Sequence, residues 1–247
     1  MGIRLPVAHG MPPTCPYGAP MDDGFHLTVC RQCPPGTGPI ATHNRLRDVW
    51  AAMARASGMT VSVEDRHLID FVERHGSRPA DISMVTSDGK RICVDVGVTD
   101  CRSASRPNVV RGRGQAADAY ARAKEVALHT IRQGDREERI TVVEAVRRIG
   151  MEYRAVVMEA QGALGKTALD TFKEISRHAQ SIRGIPMAMF QMHWRRRLSA
   201  TLNRALGDAA VARARAISAE RVALRQGYQP FGGSALSEAD FGAYAIR

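Results

Sequence analysis

The chain has 247 residues, 44% of them hydrophobic, enough for one sizeable core with or without a small appendage. Charged residues make up 24%, an ordinary globular share that excludes bulk disorder. The formal net charge is +10 and almost all of the positive charge is arginine, with lysine only at Lys90, Lys124, Lys166 and Lys173. Arginine forks match phosphate oxygens, so nucleic acid is the expected partner; arginine-rich coding bias is the bland alternative. No apolar run approaches the ~18 residues of a membrane span and no secretory h-region opens the chain. An intracellular protein, nuclear or cytoplasmic, not secreted and with no membrane partner, is expected.

Residues 1–40 are rich in Pro and Gly with little helical periodicity, so they need a staple to fold. Cys15, His26, Cys30, Cys33 and His43 fall within 29 residues. Thiolates and imidazoles suit tetrahedral Zn²⁺, and four of these five complete a site. Cys15, His26 and Cys30 are the firmest donors; Cys33 and His43 compete for the fourth position. An odd total of five cysteines argues against a disulfide framework.

Residues 43–57 place Leu46, Val49, Trp50 and Met53 at the spacing of an amphipathic helix that stops at Gly58. A strand is expected over 59–64, then a hairpin over 78–98 with Ser87-Asp88-Gly89 as its turn. Residues 101–114, "CRSASRPNVVRGRG", form a loop in which Arg102, Arg106, Arg111 and Arg113 are candidate DNA contacts. Two helices follow, 115–132 and 136–149, separated by Gly134-Asp135. The apolar run 153–160 reads as a buried strand and the segment ending at Ala179 as a helix. From Pro186 two long basic helices break near Gly207, with Arg195, Arg196 and Arg197 as further DNA contacts. The tail from Gly227 is expected to fray. The order gives an α/β class: a mixed sheet flanked by helices, with a small N-terminal zinc knuckle (1–43), a core (44–180) and a basic helical extension with tail (181–247).

The hairpin carries one acid in each arm, Asp81 and Asp95, among apolar residues. A lone carboxylate in low dielectric costs several kcal/mol unless paired or metal-bound, so each acid needs a partner. Two carboxylates brought together repel, and a divalent cation removes the repulsion. If metal is the only partner, removing one acid leaves metal-free stability unchanged or improved. A salt bridge within the protein predicts a loss of about 3–5 kcal/mol instead.

Arg78-Pro79-x-Asp81, then thirteen residues, then Asp95 between valines, resembles the metal site of PD-(D/E)xK nucleases. The wider series "CPYG … FHLTVC … THNRLRD … VSVE … RPADI … VDVGV" resembles the C-terminal part of site-specific non-LTR retrotransposon proteins. There a zinc knuckle precedes a restriction-like endonuclease domain. "GMEYRAVVMEAQGALGKTAL" is similar to that family's last core strand and helix, and "WRRRLSATLNRA" to its closing helix, so the likeness spans about residues 13–206. It implies a restriction-endonuclease-like sheet and a metal-dependent DNA endonuclease, nicking target DNA for a retroelement, with Asp81 and Asp95 holding Mg²⁺ or Mn²⁺. It also implies retroelement RNA as a further partner. Two positions depart from the pattern: Tyr17 stands where the knuckle has its second cysteine, and Gly97 where the superfold often has lysine. Lys124 is the best replacement lysine; Glu64 and Glu159 are further acidic candidates. The alternative is a catalytically decayed, zinc-containing nucleic-acid-binding module, which the missing lysine at 97 favours.

Overall fold

The computed structural model describes Thr14 and residues 38–65, 68, 69, 80–100 and 113–225. Contacts divide the chain into two units, one formed by 42–204 and the other by 1–41 with 205–247. Among the described residues no helix is long and apolar enough to cross a membrane.

Helix α1 (Gly38–Ala56) begins earlier than the periodicity alone indicates and buries the expected stripe of Leu46, Val49, Trp50 and Met53. Gly58 ends the turn with φ 95°, a conformation that favours glycine. Strands β1 (Thr60–Val63), β2 (Ile82–Val85) and β3 (Arg91–Thr99) form an antiparallel meander. The turn between β2 and β3 is closed by Thr86 N–H to Lys90 O and Gly89 N–H to Thr86 O. His178 ties this turn down by accepting from Ser87 N–H through Nε2, its other nitrogen lying 2.9 Å from Ser57 O.

The segment expected to hold two helices instead contains α2 (Gln115–Val126), a hairpin of β4 (Leu128–Gln133) and β5 (Arg136–Thr141), and α3 (Val142–Arg148). Gly134, with φ 62°, opens a two-residue turn and returns the chain antiparallel, so Gly134-Asp135 is a hairpin turn and not a helix break. Thr141 then caps α3 by accepting from Glu144 N–H. Strand β6 (Glu152–Glu159) pairs in parallel with β3, giving the sheet order β1-β2-β3-β6. Helix α4 (Lys166–Arg183) stops at left-handed Gly184. Helix α5 (Met187–Arg225) runs unbroken through Gly207, which has open space around its Cβ position. A glycine in a helix interior costs only about 1 kcal/mol, which the flanking buried Leu202, Leu206 and Ala210 offset.

Side chains alternate across the central strands. Tyr153, Ala155 and Val157 of β6 and Cys93 of β3 pack on Ala117 and Ala121 of α2 and on Val142 and Val146 of α3. Arg154, the next residue, turns to the opposite face, where it bonds Glu174 (2.7 Å) and approaches Thr171 of α4. Helix α1 shares that second face through an edge-on contact of Trp50 with Phe172 of α4. The unit 42–204 is thus a mixed α/β core with α2 and α3 on one side of the sheet and α1 and α4 on the other. At one end, Lys90, Glu152, Arg154 and Glu174 close a ring of alternating charge between the β2–β3 turn, β6 and α4.

Helices α2 and α4 meet tightly. Asp118 of α2 accepts from Lys166 N–H at the start of α4, and a Cβ at Gly165 would lie 2.8 Å from Asp118 Oδ1 and 3.1 Å from Ala117 Cβ. Gly165→Ala is therefore expected to lower unfolding free energy by about 1–3 kcal/mol. Gly207→Ala, which meets no neighbour, should raise it by about 0.5–1 kcal/mol. Urea denaturation of the two variants against the parent checks both signs.

Candidate active site

On β3, Cys93, Asp95 and Gly97 share the face covered by α2, and the parallel register sets Tyr153, Ala155 and Val157 beside them. The small residues Ala155 and Gly97 leave room for the helix. A Cβ at Gly97 would stand 3.0 Å from Cε1 of Tyr120 and 3.2 Å from Val157 Cγ2, so the Tyr120 ring fills the place where the resembled pattern has a strand lysine. One turn further along α2, Lys124 lies with Nζ 5.5 Å from the centroid of that ring. Its ammonium donates to Asp95 Oδ1 at 2.6 Å. The Tyr153 hydroxyl donates to Asp95 Oδ2 at 2.8 Å. Side-chain exposure is 12% at Lys124 and 20% at Asp95, so the pair is largely withdrawn from water.

Asp81 precedes β2 and is bonded on both sides. Its N–H donates to Val94 O at 3.0 Å, and its carbonyl accepts from Glu64 N–H at 2.8 Å. Its carboxylate accepts from Val96 N–H at 2.7 Å and lies 3.1 Å from His43 Nε2. Asp81 thus grips β3 immediately before and after Asp95, which brings the two acids face to face. The sequence reading offered His43 as a rival fourth zinc donor; the structure sets it on Asp81. The other zinc candidates, Cys15, His26, Cys30 and Cys33, lie outside the described residues.

The two carboxylates titrate differently. Burial pushes Asp81 upward, but the His43 hydrogen bond and charge, the Val96 amide and the Lys124 charge outweigh it, and its pKa falls below the ordinary carboxylate value. Burial dominates at Asp95 and, with the Asp81 charge, raises its pKa despite Lys124 and Tyr153. Burial would lower Lys124, yet the charge of Asp95 overrides it and holds the ammonium above its usual value. Burial and the neighbouring Asp95 push the Tyr153 phenol well up, which keeps it a proton donor.

Glu64 meets Asp81 through its backbone N–H. It has left-handed φ of 58°, and its carboxylate pairs with Arg47, one helical turn beyond His43 on α1. Glu159 is also turned elsewhere: its buried carboxylate accepts from Ala116 N–H at 3.1 Å and caps α2. Arg113 is exposed just before α2, while Arg102, Arg106 and Arg111 lie outside the described residues. Arg195, Arg196 and Arg197 are exposed on α5 and do not share the face that carries Asp95 and Lys124. Tyr120 and Tyr153 are site residues that the sequence reading missed.

Among the described residues no three or more His, Cys, Asp or Glu side chains are gathered as a ready metal cage. Mg²⁺ needs less, since it is held by one or two carboxylates and keeps several waters. Each oxygen of Asp81 and Asp95 has one protein partner and retains acceptor capacity. The donor set of hard oxygens therefore fits Mg²⁺. The sequence matches no protein-family model and no curated protein.

Each acid has a basic partner within the protein, His43 for Asp81 and Lys124 for Asp95, so the salt-bridge alternative applies in metal-free buffer. Lys124→Met leaves Asp95 buried beside Asp81 without its counter-charge and should cost about 3 kcal/mol at pH 8. The folded Asp95 carboxyl titrates above its unfolded value, so stability is lost as pH rises through the folded pKa. The deficit of Lys124→Met should therefore shrink as pH falls from 8 towards 5. Adding Asp95→Asn should restore most of it at pH 8. Urea unfolding of the parent, both single variants and the double variant at the two pH values measures this coupling.

Proposed function

We propose that this chain is a metal-dependent DNA endonuclease with a restriction-like core, hydrolysing a phosphodiester in a retroelement's target DNA. The observation that carries the reading is the Lys124–Asp95 contact. A helix lysine meets the second acid where the strand position, Gly97, is filled by Tyr120. The order of helix, antiparallel strands, helix, parallel strand and helix supports the same reading.

Asp81 and Asp95 would hold the divalent ion, which when bound polarises a phosphoryl oxygen and makes water more acidic. The protein's own groups do the rest. Val96 N–H and His43 fix the Asp81 carboxylate, and Tyr153 aims that of Asp95. Lys124 gives Asp95 one of its three donors and has the others for a phosphoryl oxygen as negative charge develops. With His43 committed to Asp81, the zinc reading rests on Cys15, His26, Cys30 and Cys33. Elemental analysis of folded protein should then find about one zinc per chain.

One observation favours a second reading, a nucleic-acid-binding module without catalysis. His43 and Lys124 already partner the two acids, so neither carboxylate depends on a divalent ion for a partner. A labelled duplex incubated with Mg²⁺ or Mn²⁺, and with EDTA, separates the two. The endonuclease reading expects cleavage with metal and none with EDTA. It also expects a loss of at least about 100-fold in rate for Asp95→Asn and for Lys124→Gln, with duplex affinity retained. Tight duplex binding by the parent without cleavage selects the binding module, and full activity of Asp95→Asn removes the catalytic assignment.

A further inference from the structure

Helix α5 offers a surface separate from the acidic pair. Between Met187 and Arg204 it carries four arginines and no acid. Phe190, Trp194, Leu198 and Leu202 are buried at four-residue spacing and fix the inward side. The exposed Met192, Arg196, Ser199 and Asn203 recur at intervals of four, three and four, and so form one outward stripe. Arg195 and Arg197 flank that stripe on its two sides. Both are braced on rings, with Arg195 Cζ 5.6 Å from the Phe172 centroid and Arg197 Cζ 5.1 Å from that of Trp194. Stacking on a ring leaves the in-plane N–H donors of a guanidinium available.

Position gives this surface its meaning. Phe172 belongs to α4, which lies against the sheet face of Arg154. Asp95, Tyr153 and Lys124 lie on the other face, under α2. The sheet stands between the braced arginines and Lys124, so a phosphate held by Arg195 is not the phosphate at Asp95.

We infer that the first half of α5 is an anchoring surface for duplex DNA, distinct from the cleavage site. The outward stripe lies in the major groove, and Arg195 and Arg197 contact phosphates along its two walls. The groove of B-DNA, about 12 Å wide, admits a helix, whereas that of A-form RNA is too deep and narrow for side chains to read. Guanidinium, amide, hydroxyl and thioether groups on the stripe supply donors, acceptors and apolar contact for base edges and thymine methyls. The anchored DNA segment is then offset from the bond that is cut. Only this last step rests on the endonuclease reading.

The test measures binding by anisotropy in EDTA on a labelled random duplex of about two helical turns. Replacing Arg195, Arg196 and Arg197 together by Gln should weaken affinity by about tenfold or more and lower the salt slope by about 2, near 0.9 for each of the two phosphate contacts. Arg196→Gln with Asn203→Ala, which leaves both braced rings untouched, should weaken binding with a smaller change in slope. Arg132→Gln, which removes an exposed cation of the β4–β5 hairpin away from both surfaces, should leave affinity unchanged. In the metal-dependent cleavage arm, the triple variant at saturating protein should cut at the parental single-turnover rate. Unchanged affinity in both variants overturns the inference, as does tighter binding of duplex RNA than duplex DNA. A tenfold loss of saturated cleavage rate in the folded triple variant returns these arginines to the cleavage site. If the parent never cuts, the endonuclease reading fails, and the EDTA binding results still decide the anchoring surface.

Discussion

The architecture depends on how a carboxylate is kept charged inside a sheet. Asp95 stands in β3 between two buried valines, where an isolated charge would be untenable. Lys124 compensates it, and Lys124 can do so only because α2 lies almost on the strand. The near approach needs small residues on the contact. Gly97 and Ala155 lie under the helix, and Ala117 and Ala121 form its underside. The ion pair and the close packing are therefore one constraint: a larger residue at 97 would displace Tyr120 and, with it, the turn that carries Lys124.

Asp81 solves the same problem by different chemistry. It is about as enclosed as Asp95 and takes a backbone amide and an imidazole in place of an ammonium. The outcome is an electrostatic asymmetry between neighbouring acids, one held low by its donors and one held high by burial. Such divergence of adjacent carboxylates is common where a site must bind a cation and also handle protons. Helix α1 contributes to both flanks, giving His43 to Asp81 and Arg47 to Glu64 from successive turns.

Much of the core was legible because its signals are local. The stripe of α1, the Ser87-Asp88-Gly89 turn and the apolar run of β6 each follow from spacing within about a dozen residues. Asp81 and Asp95 announced themselves as acids in an apolar hairpin. Lys124 was reached through a resemblance and the gap at Gly97. The 127–141 hairpin was hidden because Gly134-Asp135 serves equally as a helix break and as a two-residue turn. Tyr153 and His43 needed tertiary register. Tyr153 meets Asp95 through the parallel pairing of β3 with β6, which no local pattern encodes. His43 meets Asp81 across 38 positions of chain, and its closeness in sequence to the cysteines pointed to zinc.

The way Asp81 grips β3 also limits where this chain can change length. Its N–H and its carboxylate bind the residues on either side of Asp95, so the β2–β3 pairing can settle in only one alignment. A strand shifted by one position turns its whole row of side chains over. One residue gained or lost between Thr86 and Lys90 would have to be absorbed in that turn, or Asp95 would exchange places with a valine. The turn at Gly134-Asp135 carries a lighter load: β4 and β5 form a separate two-stranded sheet whose register is held by the burial of Ile131 and Ile140 against Ala145, with no carboxylate to place. Insertions cost less at that hairpin tip than at the other, although both are short turns between antiparallel strands.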